Sequence, residues 1–177
     1  MSMVNAFALV EKVTREAFRL ETRQRYDVPD ERPLLKAFLA GQPAPESDSM
    51  ARHGAVTRSL RAAGKRRYRV HVVDLLLILY LRYELNGYRE NIQAGEEIFI
   101  ADRSWHPDLA ALAKDFLLLD GDTDHASVVG YRYNDDELLA RDYSEDPADI
   151  QICRRHRDLA MAHAIPYAEF LRGVSLA

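Results

Sequence analysis

The chain has 177 residues, 47% of them hydrophobic and 29% charged, enough for one globular domain with a real core and too few for two. A formal net charge of −4 at pH 7 excludes a global field that would drive it onto nucleic acid or an anionic membrane. The single cysteine, Cys153, excludes an internal disulfide and fits a reducing compartment.

The first residues, MSMVNAFALVEKVTREAF, have neither a basic start nor an apolar run of signal-peptide length, so a cytoplasmic protein is expected. Phe7, Val10, Val13 and Ala17 share one side at helical spacing and predict a helix. FRLETRQRY then alternates Phe18, Leu20 and Thr22, as extended backbone would. DERPLLKAFLAG reads as a short helix with Asp30 as cap, Leu34, Leu35 and Phe38 inward, and Gly41 as its stop. Residues 42–49, rich in proline and poor in apolar anchors, read as a linker. They divide an N-terminal helical arm, residues 1–41, from an α/β body, residues 50–177.

SMARHGAVTRSLRAAG predicts a helix capped by Ser49 and ended at Gly64. RRYRVHVV sets Tyr68, Val70 and Val72 against Arg67, Arg69 and His71, which predicts a strand. DLLLILYLRYELNGYRENIQAG lacks the period of two that a hairpin at Asn86-Gly87 needs. Leu77, Leu81, Leu85, Tyr88 and Ile92 instead form a helical stripe, so one helix is expected from about Asp74 to Ala94, closed by Gly95. Gly87 inside it costs about 1 kcal/mol relative to alanine. The apolar run VVDLLLILYL is interrupted by Asp74 and is about half of what a bilayer span needs, so no membrane association is expected.

EEIFIAD adds a strand and completes a βαβ unit. Phe116 to Leu119 and Val128 to Tyr133 predict a hairpin. Asp146-Pro147 opens a last long helix to about Ala164, followed by a short turn at PYAEFL. The expected fold class is α/β, with α+β open: one domain, a small mixed sheet built on one βαβ unit plus a hairpin, flanked by helices.

FRLETRQRY, RVHVV, YLRYELNGYRENIQAGEEIFI, DFLLLD and MAHAIPYAEFL together resemble an uncharacterised actinobacterial domain family, the domain of unknown function 6879. Its members are often encoded beside small helix-turn-helix regulators. A second resemblance concerns fold. Strand, helix, strand and a strand ending in LLLDG are similar to one half of a phospholipase-D-like domain. That superfamily uses a His-x-Lys pair followed by Asp. Lys114 and Asp120 stand roughly in place, one residue too far apart, but Leu112 replaces the nucleophilic histidine. The resemblance therefore implies a degenerate, non-catalytic relative.

Four groups of residues carry possible chemistry. The turn DGDTDH spaces Asp120, Asp122 and Asp124 as a calcium loop would, but His125 and Tyr131 stand where such a loop needs Gly and Glu, so a polar hairpin is expected. Asp149, Cys153, His156 and His163 share one side of the last helix without a zinc-type spacing, so neither metal nor cofactor is expected. The segment from Arg52 to Arg69 is basic throughout, with Arg58, Arg61 and Lys65 on one helix face. It would meet phosphates or an acidic partner, or be balanced by the acidic run from Asp135 to Asp146. The polar half of the central helix offers Arg82, Tyr83, Glu84 and Arg89, with Gly87 leaving room for close approach and Trp105 expected beside Arg89.

The expected binding set is Arg82, Tyr83, Glu84, Arg89, Trp105, Arg61 and Lys65, with no catalytic residues. The expected function is a non-catalytic regulatory or partner-binding protein, an antagonist or antitoxin-like companion of a helix-turn-helix regulator. Nucleic acid and a second copy of the chain stay open as partners. The alternatives are an altered phosphodiesterase or nuclease-like hydrolase built from His106, Asp108, Lys114 and Asp120, and a small-molecule sensor.

Overall fold

In the computed structural model, residues 4–74 and 79–173 are described. Seven strands form one mixed sheet: β1 (Glu16–Glu21), β2 (Arg66–Val73), β3 (Glu97–Asp102), β4 (Phe116–Leu119), β5 (Ser127–Asn134), β6 (Glu137–Ser144) and β7 (Ile165–Pro166), in the order β6-β5-β4-β1-β2-β3-β7. β1, β2 and β3 are parallel neighbours, and the other pairings are antiparallel. Among the described residues six α-helices surround the sheet: α1 (Ala6–Val10), α2 (Arg32–Leu39), α3 (Asp48–Ala62), α4 (Leu79–Ala94), α5 (Pro147–His163) and α6 (Tyr167–Gly173). The mixed α/β class and the βαβ unit β2-α4-β3 are as expected; a second parallel crossover, β1-α3-β2, was not anticipated.

The reason lies at the N-terminus. The helix expected through Ala17 stops at Val10, and residues 16–21 form a strand between β2 and β4. Asp120 decides this. Its carboxylate accepts the backbone N–H groups of Thr14 (2.7 Å), Arg15 (2.7 Å) and Glu16 (3.1 Å) and so starts the strand from outside. The segment read as a helical arm thus supplies the middle of the sheet.

Other boundaries follow local chemistry. Ser47, not Ser49, caps α3 by accepting the Met50 N–H. α2 has no side-chain cap and instead continues from a 3-10 turn at Pro29–Glu31. Gly64 (φ +70°) and Gly95 (φ +109°) take the left-handed conformation just beyond α3 and α4. Asp146 caps α5 through the Ala148 N–H, with Pro147 in the first turn. Of the expected helix from Asp74, residues 75–78 lie outside the described residues. From Leu79 onward it is continuous through Gly87, with Leu81, Leu85 and Tyr88 buried. β6 was not expected; it pairs with β5 around a tight Asn134–Glu137 turn in which Asp135 has φ +48°.

The two faces of the sheet differ. On one, Phe18, Leu20, Val70, Val72, Phe116 and Leu118 pack under α5 through Ile150, Cys153 and Ala160. Full burial of each large side chain there contributes about 1.5–3 kcal/mol. The other face has two separate apolar clusters. Val10, Val13, Val56 and Leu60 cover Leu117, Leu119 and Val129. Leu81, Leu85, Tyr167 and Phe170 cover Val73, Ile98 and Ile100. Between these clusters β1 and β2 present charged side chains to the interior.

Candidate functional site in the polar middle of the sheet

The pairing of β1 with β2 sets Ala17 beside Arg67, Arg19 beside Arg69 and Glu21 beside His71, all on the face that carries α3 and α4. Arg69 is the hub. Its Nε and Nη2 donate to Glu96 Oε1 (2.7 Å) and Oε2 (3.1 Å), and its Nη1 donates to Glu21 Oε2 (3.1 Å). All three residues are buried, and the two-pronged pairing with Glu96 is the strong form of this contact. Burial pushes Glu21 up, but Arg69, Arg19, His71 and the Tyr88 hydroxyl outweigh it and hold the carboxyl at about 2. Glu96 is likewise held below its ordinary range, Arg69 and His53 overcoming burial.

His71 is fully buried, and burial lowers its pKa. Its Nε2 lies 2.9 Å from the Arg23 carbonyl, which only accepts, so Nε2 carries the proton. In the neutral ring Nδ1 accepts. The Tyr88 hydroxyl, 2.7 Å from Nδ1 and 3.0 Å from Glu21 Oε2, has one proton to give to either. Arg67 donates to the Thr57 hydroxyl (2.9 Å) and lies 3.1 Å from His53 Nδ1. His53 Nε2 in turn meets Glu96 Oε2 at 2.8 Å.

Above this network a cavity of about 260 Å³ opens, with Arg19, Glu21, Arg67 and Arg69 in its floor and Tyr83, Glu84 and Gly87 of α4 in its roof. Two of its polar atoms, Glu84 Oε2 and Arg19 Nη1, are buried and make no hydrogen bond among the described residues. Burial, then the nearby carboxylates Glu21 and Glu31, push the Glu84 carboxyl well above its ordinary range. Gly87 lies mid-helix with no positive φ, and a Cβ built on it would meet nothing within 4 Å. The space beside Gly87 is open.

Of the seven residues singled out from sequence, Tyr83 and Glu84 line this cavity. Arg82 sits half-buried on the neighbouring flank of α4. Arg89 and Trp105 are exposed, and they do not meet. β2 and β3 run parallel, so Trp105, beyond the end of β3, lies where α4 begins, and Arg89 lies toward the helix's far end. Arg61 and Lys65 border a separate open groove, where the Arg61 side chain stands over Gly95 and Lys65 Nζ donates to the Val13 carbonyl at 2.6 Å.

Among the described residues the basic segment and the acidic run pair with other groups, not with each other. Arg52 pairs with Glu11, Arg66 with Glu97, and Arg69 with Glu21 and Glu96. Asp136 meets Arg23 and Arg25, and Asp142 meets Arg132. Sequence reading did not assign Arg19, Glu21, His53, Arg67, Arg69 and Glu96 to this site. One signal was present: polar residues alternating along a strand of a βαβ unit point at a face that a crossover helix covers, where they need partners.

The groups proposed for hydrolysis are dispersed. His106 stacks on His163 with ring centroids 4.3 Å apart. Lys114 and Asp120 lie beyond opposite ends of β4, with Asp120 committed to residues 14–16. Leu112 is buried in the core. In the aspartate-rich turn Asp122 pairs with Arg157 at 2.9 Å. On α5, Asp149 accepts from Ser144, and burial pushes the Cys153 thiol up to about 12. Among the described residues no group of three His, Cys, Asp or Glu could hold a metal, and no helix is long and apolar enough to cross a membrane.

The family model for a domain of unknown function, DUF6879, matches residues 5–172, and the chain belongs to that family. No curated protein matches it.

Proposed function

We propose that this DUF6879 member is a non-catalytic regulatory domain that takes a small polar ligand into the cavity beneath Gly87. The observation that carries the reading is the pairing of that glycine with two unmatched polar atoms, Glu84 Oε2 and Arg19 Nη1. A mid-helix glycine costs about 1 kcal/mol, and here neither backbone conformation nor a close neighbour requires it. Buried polar atoms without partners add a further penalty. A ligand in the cavity would offset both. Glu21 and Glu96 are committed to Arg69, which suits recognition better than proton transfer to a substrate.

The proposal extends to a protein companion. α4 shows the cavity one face and solvent another, where Asn86 and Arg89 are exposed, so occupancy beneath Glu84 has a short route to a docking surface. A helix-turn-helix regulator in the cytoplasm is the companion we propose, on the family context described above. The dispersal of His106, Lys114 and Asp120 weighs against the hydrolase alternative.

Thermal-shift screening of a metabolite collection tests the ligand reading, because a specific ligand raises the melting temperature by mass action. The expected result is a shift in the wild type that disappears in Gly87→Leu. Equal shifts in both proteins, or none in the wild type, would refute it.

A further inference from the structure

The cavity described above is electrically divided, and the division narrows what it can hold. At the level of Glu21 and His71 it carries acids. Glu84 Oε2 lies 3.9 Å and Glu21 Oε2 4.0 Å from His71 Nδ1, and Glu31 stands in the same wall. One same-face step back along β1 comes Arg19, and one further step back, beside Ala17, comes Arg67. Each such step is about 6.6 Å. Glu21 is satisfied by Arg69, Tyr88 and, at 3.5 Å, Arg19 Nε. Glu84 Oε2 has no hydrogen-bond donor. At the other end, Arg19 Nη1 has no acceptor, and the hydrogen bonds of Arg67 go to the Thr57 hydroxyl, the His53 carbonyl and His53 Nδ1, none of them a carboxylate.

Arg19 already meets Glu21 at 3.5 Å and Asp115 at 3.4 Å through its other nitrogens, so a ligand with a single positive charge would satisfy Glu84 and leave only Arg19 Nη1 without an acceptor. A simple anion would do the reverse. A molecule carrying both an ammonium and a carboxylate offers donors to Glu84 and acceptors to Arg19 and Arg67 at once, through charge-assisted contacts at either end. The wall beside the guanidinium groups is apolar, with Phe7, Val10, Met50 and Leu117. A volume of about 260 Å³ suits a molecule of amino-acid size rather than a nucleotide.

We propose that the cavity binds a small zwitterion of the α-amino-acid type with an apolar side group, its ammonium at Glu84 and Glu31, its carboxylate at Arg19 and Arg67, and its side group against Phe7 and Met50. This rests on the reading of the cavity as a ligand site and names the class of ligand. No bond is made or broken in binding. The occupied cavity would fix α4 against α1 and α3.

Isothermal titration calorimetry on the full chain with L-leucine, L-methionine and L-phenylalanine tests it. The single-charge comparisons are phenethylamine, which lacks the carboxylate, and N-acetyl-L-phenylalanine, which lacks the ammonium. The expected result is saturable binding of at least one amino acid, with the matching single-charge probes at least tenfold weaker. Glu84→Gln and Arg19→Lys, both close in shape to the native residue, should each weaken binding about tenfold or more. Equal affinity for a zwitterion and a single-charge probe, or no binding of any of the three amino acids, overturns the proposal. The same titrations with inorganic phosphate, spermidine and glucose separate its failure from that of the underlying reading. If one of these binds in place of the amino acids and Gly87→Leu abolishes it, the ligand class is wrong and the cavity is still the site. If binding of any probe survives Gly87→Leu unchanged, the cavity is not the site and both statements fall.

Discussion

Replacing Gly87 by alanine should make the protein more stable. Glycine in a helix interior costs about 0.5–1 kcal/mol relative to alanine, chiefly because the unfolded chain has more freedom to lose. That gain appears only where the new methyl group fits. At Gly87 the added Cβ has no atom within 4 Å, and the backbone has no positive φ. The expected effect is therefore the full propensity term, about 1 kcal/mol, or about 2–4 °C in melting temperature for a domain of this size. Urea denaturation followed by circular dichroism measures it, with the midpoint rising and the slope unchanged. Gly121→Ala is the internal contrast. A Cβ there would stand 2.8 Å from Leu118 Cδ2 and 3.0 Å from Arg157 Nη1, so a loss of about 1–3 kcal/mol is expected. A destabilised Gly87→Ala would mean that α4 closes onto the sheet in solution and that the space beside Gly87 is not open.

Glu84→Gln should stabilise the protein at pH 8 and leave it unchanged at pH 4. The folded-state pKa of Glu84 is raised, so its contribution is fully present below the unfolded value of about 4.3 and is lost as pH rises toward the folded one; identical stability of variant and wild type at pH 8 would contradict this. Glu21 behaves oppositely. Its folded pKa of about 2 means stability present above about pH 4.3 and lost between there and pH 2, so Glu21→Gln should flatten the acid limb of the pH–stability curve, and an unaltered limb would count against it. Arg69→Met leaves Glu21 and Glu96 buried without the guanidinium they share, and a loss of about 3–5 kcal/mol is expected in chemical denaturation; a loss under about 1 kcal/mol would show that the network is solvated. Asp120→Ala removes the acceptor for three backbone N–H groups and places alanine at φ +50°, for a loss of about 3 kcal/mol by the same assay, and near-wild-type stability would remove Asp120 from its role in starting β1.

The elements legible in the sequence were those whose partners lie nearby. Leu81, Leu85 and Tyr88 fall on one buried stripe because helical spacing alone sets it; the stripe ends at Ile92, which is 38% exposed where α4 leaves the sheet. β2 was legible from its alternation, and the start of α5 from Asp146-Pro147. β1 was not. Val13 and Ala17 keep helical spacing by coincidence, and the carboxylate that turns the chain there comes from Asp120, over a hundred positions away. β6 was hidden because its acidic letters read as a solvated run, and because a bulge at its start, where Leu138 pairs with Tyr133 and Ala140 with Arg132, breaks the alternation that marks a strand. Of the candidate site, Tyr83, Glu84 and Gly87 were readable on α4 itself. Arg69 was visible only as one of many basic residues. Its partners lie 48 positions upstream and 27 downstream, and nothing local marks either. Trp105 was placed beside Arg89 by an error of direction: a parallel crossover returns the chain to the end where its helix began.

The position of β1 bears on how the chain can be cut. Among the described residues, β4, β5 and β6 are joined to β2 and β3 within the sheet through residues 16–21. A fragment beginning at residue 50 would hold two half-sheets with an empty lane between them, each exposing a row of unpaired amides. Such a fragment should aggregate by itself, and a synthetic peptide of residues 12–24 supplied in trans should rescue it by sliding into the vacant lane.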